Sequence, residues 1–223
     1  MNNTDPIAPT FEYCAVSYLE QWVRHESRHH KALQSPDATS VRAALAYFKV
    51  SRGFAGIAEA STGAKVAKLL VQYDKYVTKN TAADRVTSLA EVLGQDLDAD
   101  ILLSASSKLL WLRRRLPYVI YDSRAVRALN LMNLPPTPSD YSGYSNSWRK
   151  AFAVRRKDLE IAAGRVTAFR KFTAAAHLGK SEVAAIVSED WFVERVFDKY
   201  LWIVGAPPAK APARHQTTKS IGK

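Results

Sequence analysis

Apolar residues recur every three or four positions along most of the chain, the period of helices that bury one face. Phe11, Ala15, Tyr18, Leu19 and Trp22 fall at i, i+4, i+7, i+8 and i+11, and they predict a helix reaching about Lys31. Arg24, Arg28 and Lys31 sit in its last turns, where cations offset the helix dipole. Ser35, Pro36 and Asp37 interrupt the pattern before a second helix carrying Val41, Ala44, Leu45 and Phe48. Gly53 and Gly56 loosen the next segment. A third helix over residues 64–76 carries Val66, Leu69, Leu70 and Tyr73. Thr81 is placed to cap a fourth, through Val86, Leu89, Val92 and Leu93, with Gly94 as its stop.

The second half repeats the same grammar. Asp98 or Asp100 caps a central helix over residues 99–114, Pro117 ends it, and residues 118–121 form a short extended apolar piece. Asp122 opens the next helix, which stops before Pro135, Pro136 and Pro138. Tyr141, Tyr144 and Trp148 follow, then a basic run and a long helix to about His177. Residues 181–187 and 188–204 make the closing helices, the last with Trp191, Phe192, Val196, Phe197, Tyr200 and Leu201. With no strand pattern and no internal repeat, the class is mainly α. Residues 10–204 are expected to form one helical unit of two lobes, between a flexible 1–9 and a tail, 205–223, rich in Pro, Lys and small polar residues and expected to be disordered.

Charge narrows the partner. Lys plus Arg outnumber Asp plus Glu by 32 to 21, a formal charge of +11 over 223 residues, which favours a polyanion such as nucleic acid. No apolar run reaches about 18 residues and the start lacks a signal-peptide pattern, so no membrane partner and a cytoplasmic location are expected. Cys14, the single cysteine, has no partner for a disulfide or a cysteine zinc cluster, and it lies on the apolar side of its helix as a small hydrophobe.

Candidate chemistry concentrates between residues 100 and 130. Ile101, Ser104, Ala105, Lys108, Trp111 and Leu112 share one stripe of the central helix, which sets Lys108 among small and apolar neighbours. Partial desolvation of an ammonium lowers its pKa and raises the share of nucleophilic amine. Asp122 lies 14 positions on, beyond a reversal of direction, within reach of that amine. As a carboxylate it would stabilise a cation or take up a proton. The same residues also read as an ordinary N-cap followed by Ser123 and Arg124, and as a lysine snorkelling to solvent.

The pairs Ser107-Lys108 and Tyr121-Asp122-Ser123-Arg124, followed by Val126 and Arg127, resemble the catalytic region of helix-hairpin-helix DNA glycosylases, most of all the bacterial 8-oxoguanine DNA glycosylase-like branch. The closing Trp191-Phe192 and the run from Arg195 to Trp202 are similar to that branch's ending. The resemblance implies a two-lobed helical architecture and a DNA glycosylase without cofactor or metal, acting in base excision repair or in defence against foreign DNA. Such an enzyme flips a damaged or modified base out of duplex DNA. Lys108 matches the lysine that attacks C1′ and Asp122 the essential aspartate, with strand cleavage (AP-lyase activity) as a possible sequel. Trp111, Tyr141, Tyr144 and Trp148 are candidates for the base pocket, and each also reads as core. Arg113, Arg114, Arg124, Arg127, Arg149, Lys150, Arg155 and Arg156 are candidates for DNA contacts, and each also reads as solvated charge. The chain departs from the superfamily in two ways: Ser104-Ala105-Ser106-Ser107 has no glycine where a Gly-x-Gly hairpin is usual, and the lysine-to-aspartate spacing is short.

Two other classes remain open at this level. His25-Glu26-Ser27-Arg28-His29 spells the H-E-x-x-H of zinc proteases, although Arg28 sets a cation between the would-be ligands and no third ligand is evident. A basic helical protein that binds DNA or RNA by shape and charge alone requires no partnership between Lys108 and Asp122.

Overall fold

The computed structural model describes residues 8–51, 56–97 and 102–207. The chain is mainly helical, and no strand occurs among the described residues. Its helices are α1 (Phe11–Gln21), α2 (Ser27–Ala32), α3 (Ala38–Tyr47), α4 (Ala60–Tyr73), α5 (Ala82–Asp96), α6 (Leu103–Arg114), α7 (Ser123–Leu131), α8 (Tyr141–Phe169), α9 (Lys180–Val187) and α10 (Asp190–Val204). None of them is long and apolar enough to cross a membrane. The expected caps Asp98 and Asp100, Ile101 and the tail beyond 207 lie outside the described residues.

Short polar side chains start several of these helices by satisfying free backbone N–H groups. Thr10 Oγ1 accepts from the Tyr13 amide at 3.2 Å, Asp37 and Ser40 form a reciprocal capping box, and Asp140 accepts from the amides of Ser142 and Gly143. α1 and α2 are continuous through a π-helical turn, Trp22–Glu26, in which the Ser27 amide reaches back to Trp22 O. That turn keeps Glu26 on the buried side below Trp22.

Several boundaries differ from the sequence expectation, among them both ends of α4, which spans Ala60–Tyr73 and not residues 64–76. Gly94 does not stop α5; it is buried inside the helix, which runs on to Asp96. α8 begins at Tyr141, ahead of the basic run, because Asp140 caps it there. It ends at Phe169, followed by 3-10 turns at Arg170–Phe172 and Ala174–His177. The break comes from Thr173, whose extended backbone and hydroxyl, bonded by the Ala175 amide at 3.1 Å, start a new turn.

The helices pack in two neighbourhoods. α3, α4, α5 and α6 follow one another, with α4 set close on the start of α3, where a Cβ at Gly63 would lie 2.8 Å from that of Ala38. α1, α7, α8 and α10 form the other, with α10 touching α1, α7 and α8. One hydrophobic cluster runs through both, with Trp111, Trp148, Tyr18, Tyr118, Tyr141, Tyr144, Phe192 and Phe197 among its largest side chains. α6 belongs to the first neighbourhood, whereas α7 and α10 belong to the second. The short link from Arg115 to Asp122 therefore brings residues of both to one place.

Candidate active site

Lys108 lies in the stretch of α6 from Ala105 to Leu112 that is buried on every side, and it is only 5% exposed. Its Nζ donates to Ser104 Oγ, one helical turn back, at 2.7 Å, and to Asp122 Oδ2 at 3.3 Å. It also stands 5.8 Å above the Phe48 ring. Asp122 divides its carboxylate between two tasks. Oδ1 accepts from the Arg124 amide at 3.0 Å and caps α7, while Oδ2 faces the amine. The N-cap reading and the ion-pair reading thus describe the same side chain. Ser107 fixes the register between the two elements: its Oγ accepts from the Tyr121 amide at 2.9 Å and donates to Ser104 O. Burial lowers the Lys108 pKa, and the neighbouring Asp122 opposes that without cancelling it.

The pair opens on a cavity of about 520 Å³, to which Phe48, Ile120, Ala125, Arg195, Asp198 and Trp202 contribute beside Lys108 and Asp122. Further wall comes from Ser17, Glu20, Gln21, Arg24 and His25 of the first helix, from Tyr47 and Lys49, and from Lys199. Beneath it lies a buried charge network. Glu26, with no exposed surface, accepts from Tyr18 Oη (3.0 Å), Gln21 Nε2 (2.7 Å), Tyr47 Oη (3.3 Å) and Arg195 Nη2 (2.9 Å). Arg195 donates its other terminal nitrogen to Asp198 Oδ2 at 3.0 Å, and Asp198 Oδ1 accepts from Trp148 Nε1 at 2.7 Å. Burial alone would push the Arg195 pKa down, but Glu26, Tyr18 and Asp198 more than reverse it. Burial lifts Asp198 to about 6 against the pull of Arg195.

The candidate residues distribute unevenly around this site. Lys108 and Asp122 come together on the cavity wall. Trp111, Tyr141, Tyr144 and Trp148 do not reach it: all four are at most 1% exposed and serve the core. Tyr141 and Tyr144 bind the carbonyls of Val119 and Ile120 and so hold the link that carries Asp122. The cavity's aromatic wall is Tyr18, Tyr47, Phe48 and Trp202 instead. Arg113 and Arg114 turn toward the buried Asp74, at 3.0 and 2.8 Å, and not toward an open track. Arg149 and Arg155 bind backbone carbonyls, and Arg156 pairs with Glu160 and Asp190. Arg124 stacks 4.0 Å over Trp202 beside the cavity, whereas Arg127 and Lys150 are exposed. The cations that line the cavity are Arg24, Lys49 and Lys199, together with Lys108 and Arg195.

The H-E-x-x-H string is spent on packing and on the buried charge network. Glu26 is consumed by four donors, and the His25 and His29 rings lie against Tyr47 at 5.8 and 5.0 Å. Among the described residues no group of three His, Cys, Asp or Glu side chains is placed to hold a metal ion.

Glu26 could have been found from its position four residues after Trp22 on the apolar stripe. Arg195 and Asp198 could have been found as charges inside the apolar period of α10. No family model, curated protein or solved structure matches this chain.

Proposed function

We propose that the protein is a DNA glycosylase of the helix-hairpin-helix type, which everts a modified nucleotide into the 520 Å³ cavity and excises its base with Lys108 and Asp122. The observation that carries this reading is a lysine nine-tenths or more buried, its pKa lowered, 3.3 Å from a carboxylate on the wall of an open cavity. A buried ammonium is costly to keep, and lysines of lowered pKa are suited to attack on an electrophilic carbon.

The neutral Nζ forms a bond to C1′ as the bond from C1′ to the base breaks. The base departs with the bonding electrons and takes up a proton. Asp122 Oδ2 faces the positive charge that develops at the sugar and accepts the proton that Nζ sheds after attack. Opening of the sugar at O4′, which is protonated as it leaves, yields an imine between Nζ and C1′. Proton loss from C2′ and departure of the 3′ phosphate then cleave the strand. Double-stranded DNA is the partner, held by its phosphates through basic residues at and beside the cavity such as Arg124 and Lys49.

Single-turnover incision on duplexes carrying a panel of modified bases tests this. The wild type is expected to excise at least one of them, whereas Lys108→Gln and Asp122→Asn retain binding and lose excision by about a hundredfold or more. Equal binding without excision by all three proteins would leave a basic helical DNA binder in place of the enzyme.

A further inference from the structure

We infer that the cavity takes a base enlarged by a neutral, hydroxyl-rich substituent of about hexose size, a deepening that rests on the glycosylase reading above. Size is the first reason. The cavity's 520 Å³ would hold roughly 17 waters at about 30 Å³ each, a larger allotment than the ring atoms of a purine require.

Composition of the wall is the second. Ser17, Glu20, Gln21, Arg24 and His25 recur at three and four, so one face of the first helix and its π turn lines the cavity with polar groups. An aromatic path joins that face to the amine. Lys108 Nζ stands over Phe48, the Phe48 and Tyr47 rings are 4.9 Å apart, and Tyr47 lies 5.8 Å from His25. A base attached at C1′ and stacked on these rings directs its substituent toward α1.

The third reason is that the polar groups of the α1 face are held in place. Gln21 cannot flip without loss, because its Nε2 donates to Glu26 and its Oε1 accepts from Lys199 at 3.3 Å. Tyr47 spends its proton on Glu26 and keeps lone pairs. Arg24 is ion-paired with Glu20. That face therefore mixes fixed donors and acceptors, and Glu20 beside Arg24 disfavours an anionic substituent there. Hydroxyls, which both donate and accept, match such a wall. A bare lesion would leave it to water.

The test uses the full-length protein and duplexes carrying 8-oxoguanine, 5-hydroxymethylcytosine or glucosylated 5-hydroxymethylcytosine, read as single-turnover rates of borohydride-trapped adduct. The glucosylated base is expected to react faster than the hydroxymethylated one by about tenfold or more, the return of one or two net hydrogen bonds. Ser17→Phe, which fills the α1 side of the cavity, is expected to bring that ratio down toward one. His25→Ala does the same by loss of a polar contact, and melting temperatures confirm that each variant folds. Trapping of the small bases at equal or higher rates overturns the inference and leaves the glycosylase standing. A ratio unmoved in both folded variants also overturns it. Absence of adduct with every duplex overturns the inference and the glycosylase reading together.

Discussion

Replacing Lys108 by methionine separates a lysine kept for chemistry from one kept for structure. The Lys108 ammonium lies 3.3 Å from Asp122 Oδ2, which at an effective dielectric constant of about 20 corresponds to an attraction of about 5 kcal/mol. Removing an ammonium from water costs several kcal/mol. The lowered pKa says which effect is larger, since burial outweighs Asp122 and the protonated form is less favoured in the fold than in the unfolded chain. Methionine keeps most of the buried stem and removes the charge. Asp122 keeps its bond from the Arg124 amide and about a quarter of its side chain in water, so it is not left as a sealed, unpaired charge. Lys108→Met is therefore expected to stay within about 1 kcal/mol of the wild type at neutral pH, or to exceed it, while losing all covalent trapping. The sign with pH follows from the same shift. Between the lowered folded pKa and the ordinary unfolded one, only the unfolded chain binds the proton, so wild-type stability rises with pH there, and the variant lacks that rise. Urea midpoints from neutral pH toward pH 10 measure both effects. A loss of 3 kcal/mol or more in the variant, in the range of about 3–5 kcal/mol for breaking a structural buried pair, would refute the reasoning.

Other positions give independent checks. Gly205 follows α10 and crosses the first turn of α7, where an added Cβ would lie 1.8 Å from Arg124 O; Gly205→Ala is expected to destabilise by about 1–3 kcal/mol and to reduce excision by displacing Asp122, read by melting and by single-turnover rate. Lys49 lies two residues past the end of α3 with φ +56°, a conformation glycine adopts freely, so Lys49→Gly is expected to stabilise by up to about 1 kcal/mol in urea unfolding while weakening DNA binding. Glu26→Gln leaves the buried Arg195 with Asp198 as its remaining carboxylate partner and is expected to cost about 3–5 kcal/mol in the same assay. Asp122→Asn removes a charge that raises the Lys108 pKa, so the pH at which Lys108 becomes reactive toward a small aldehyde is expected to fall.

The helices were legible wherever a single face is buried, because the 3.6-residue period survives any choice of neighbour. Phe11, Ala15 and Tyr18 mark α1, and Val86, Leu89 and Leu93 mark α5. Ends were less legible where a side chain far away or a local cap decides them, as at Thr173, or where glycine is buried by packing, as at Gly94. In the candidate site, the placement of Lys108 beside Asp122 followed from a lysine among apolar residues and a reversal, both local, although α6 proved buried on every side from Ala105 to Leu112 and not along one stripe. The cavity wall did not, since it assembles from α1, the end of α3 and α10, elements that the chain leaves far apart. An aromatic's place in core or pocket depends on that assembly, and so Trp111 and Trp148 looked like Trp202 in sequence.

Borohydride reduction during reaction with a duplex bearing the excised base, followed by peptide mass mapping of the cross-link, tests the central claim most directly. The adduct is predicted on Lys108 and absent from Lys108→Gln. A cross-link on Lys199, on Lys49 or on the terminal amine, persisting in Lys108→Gln, would contradict it.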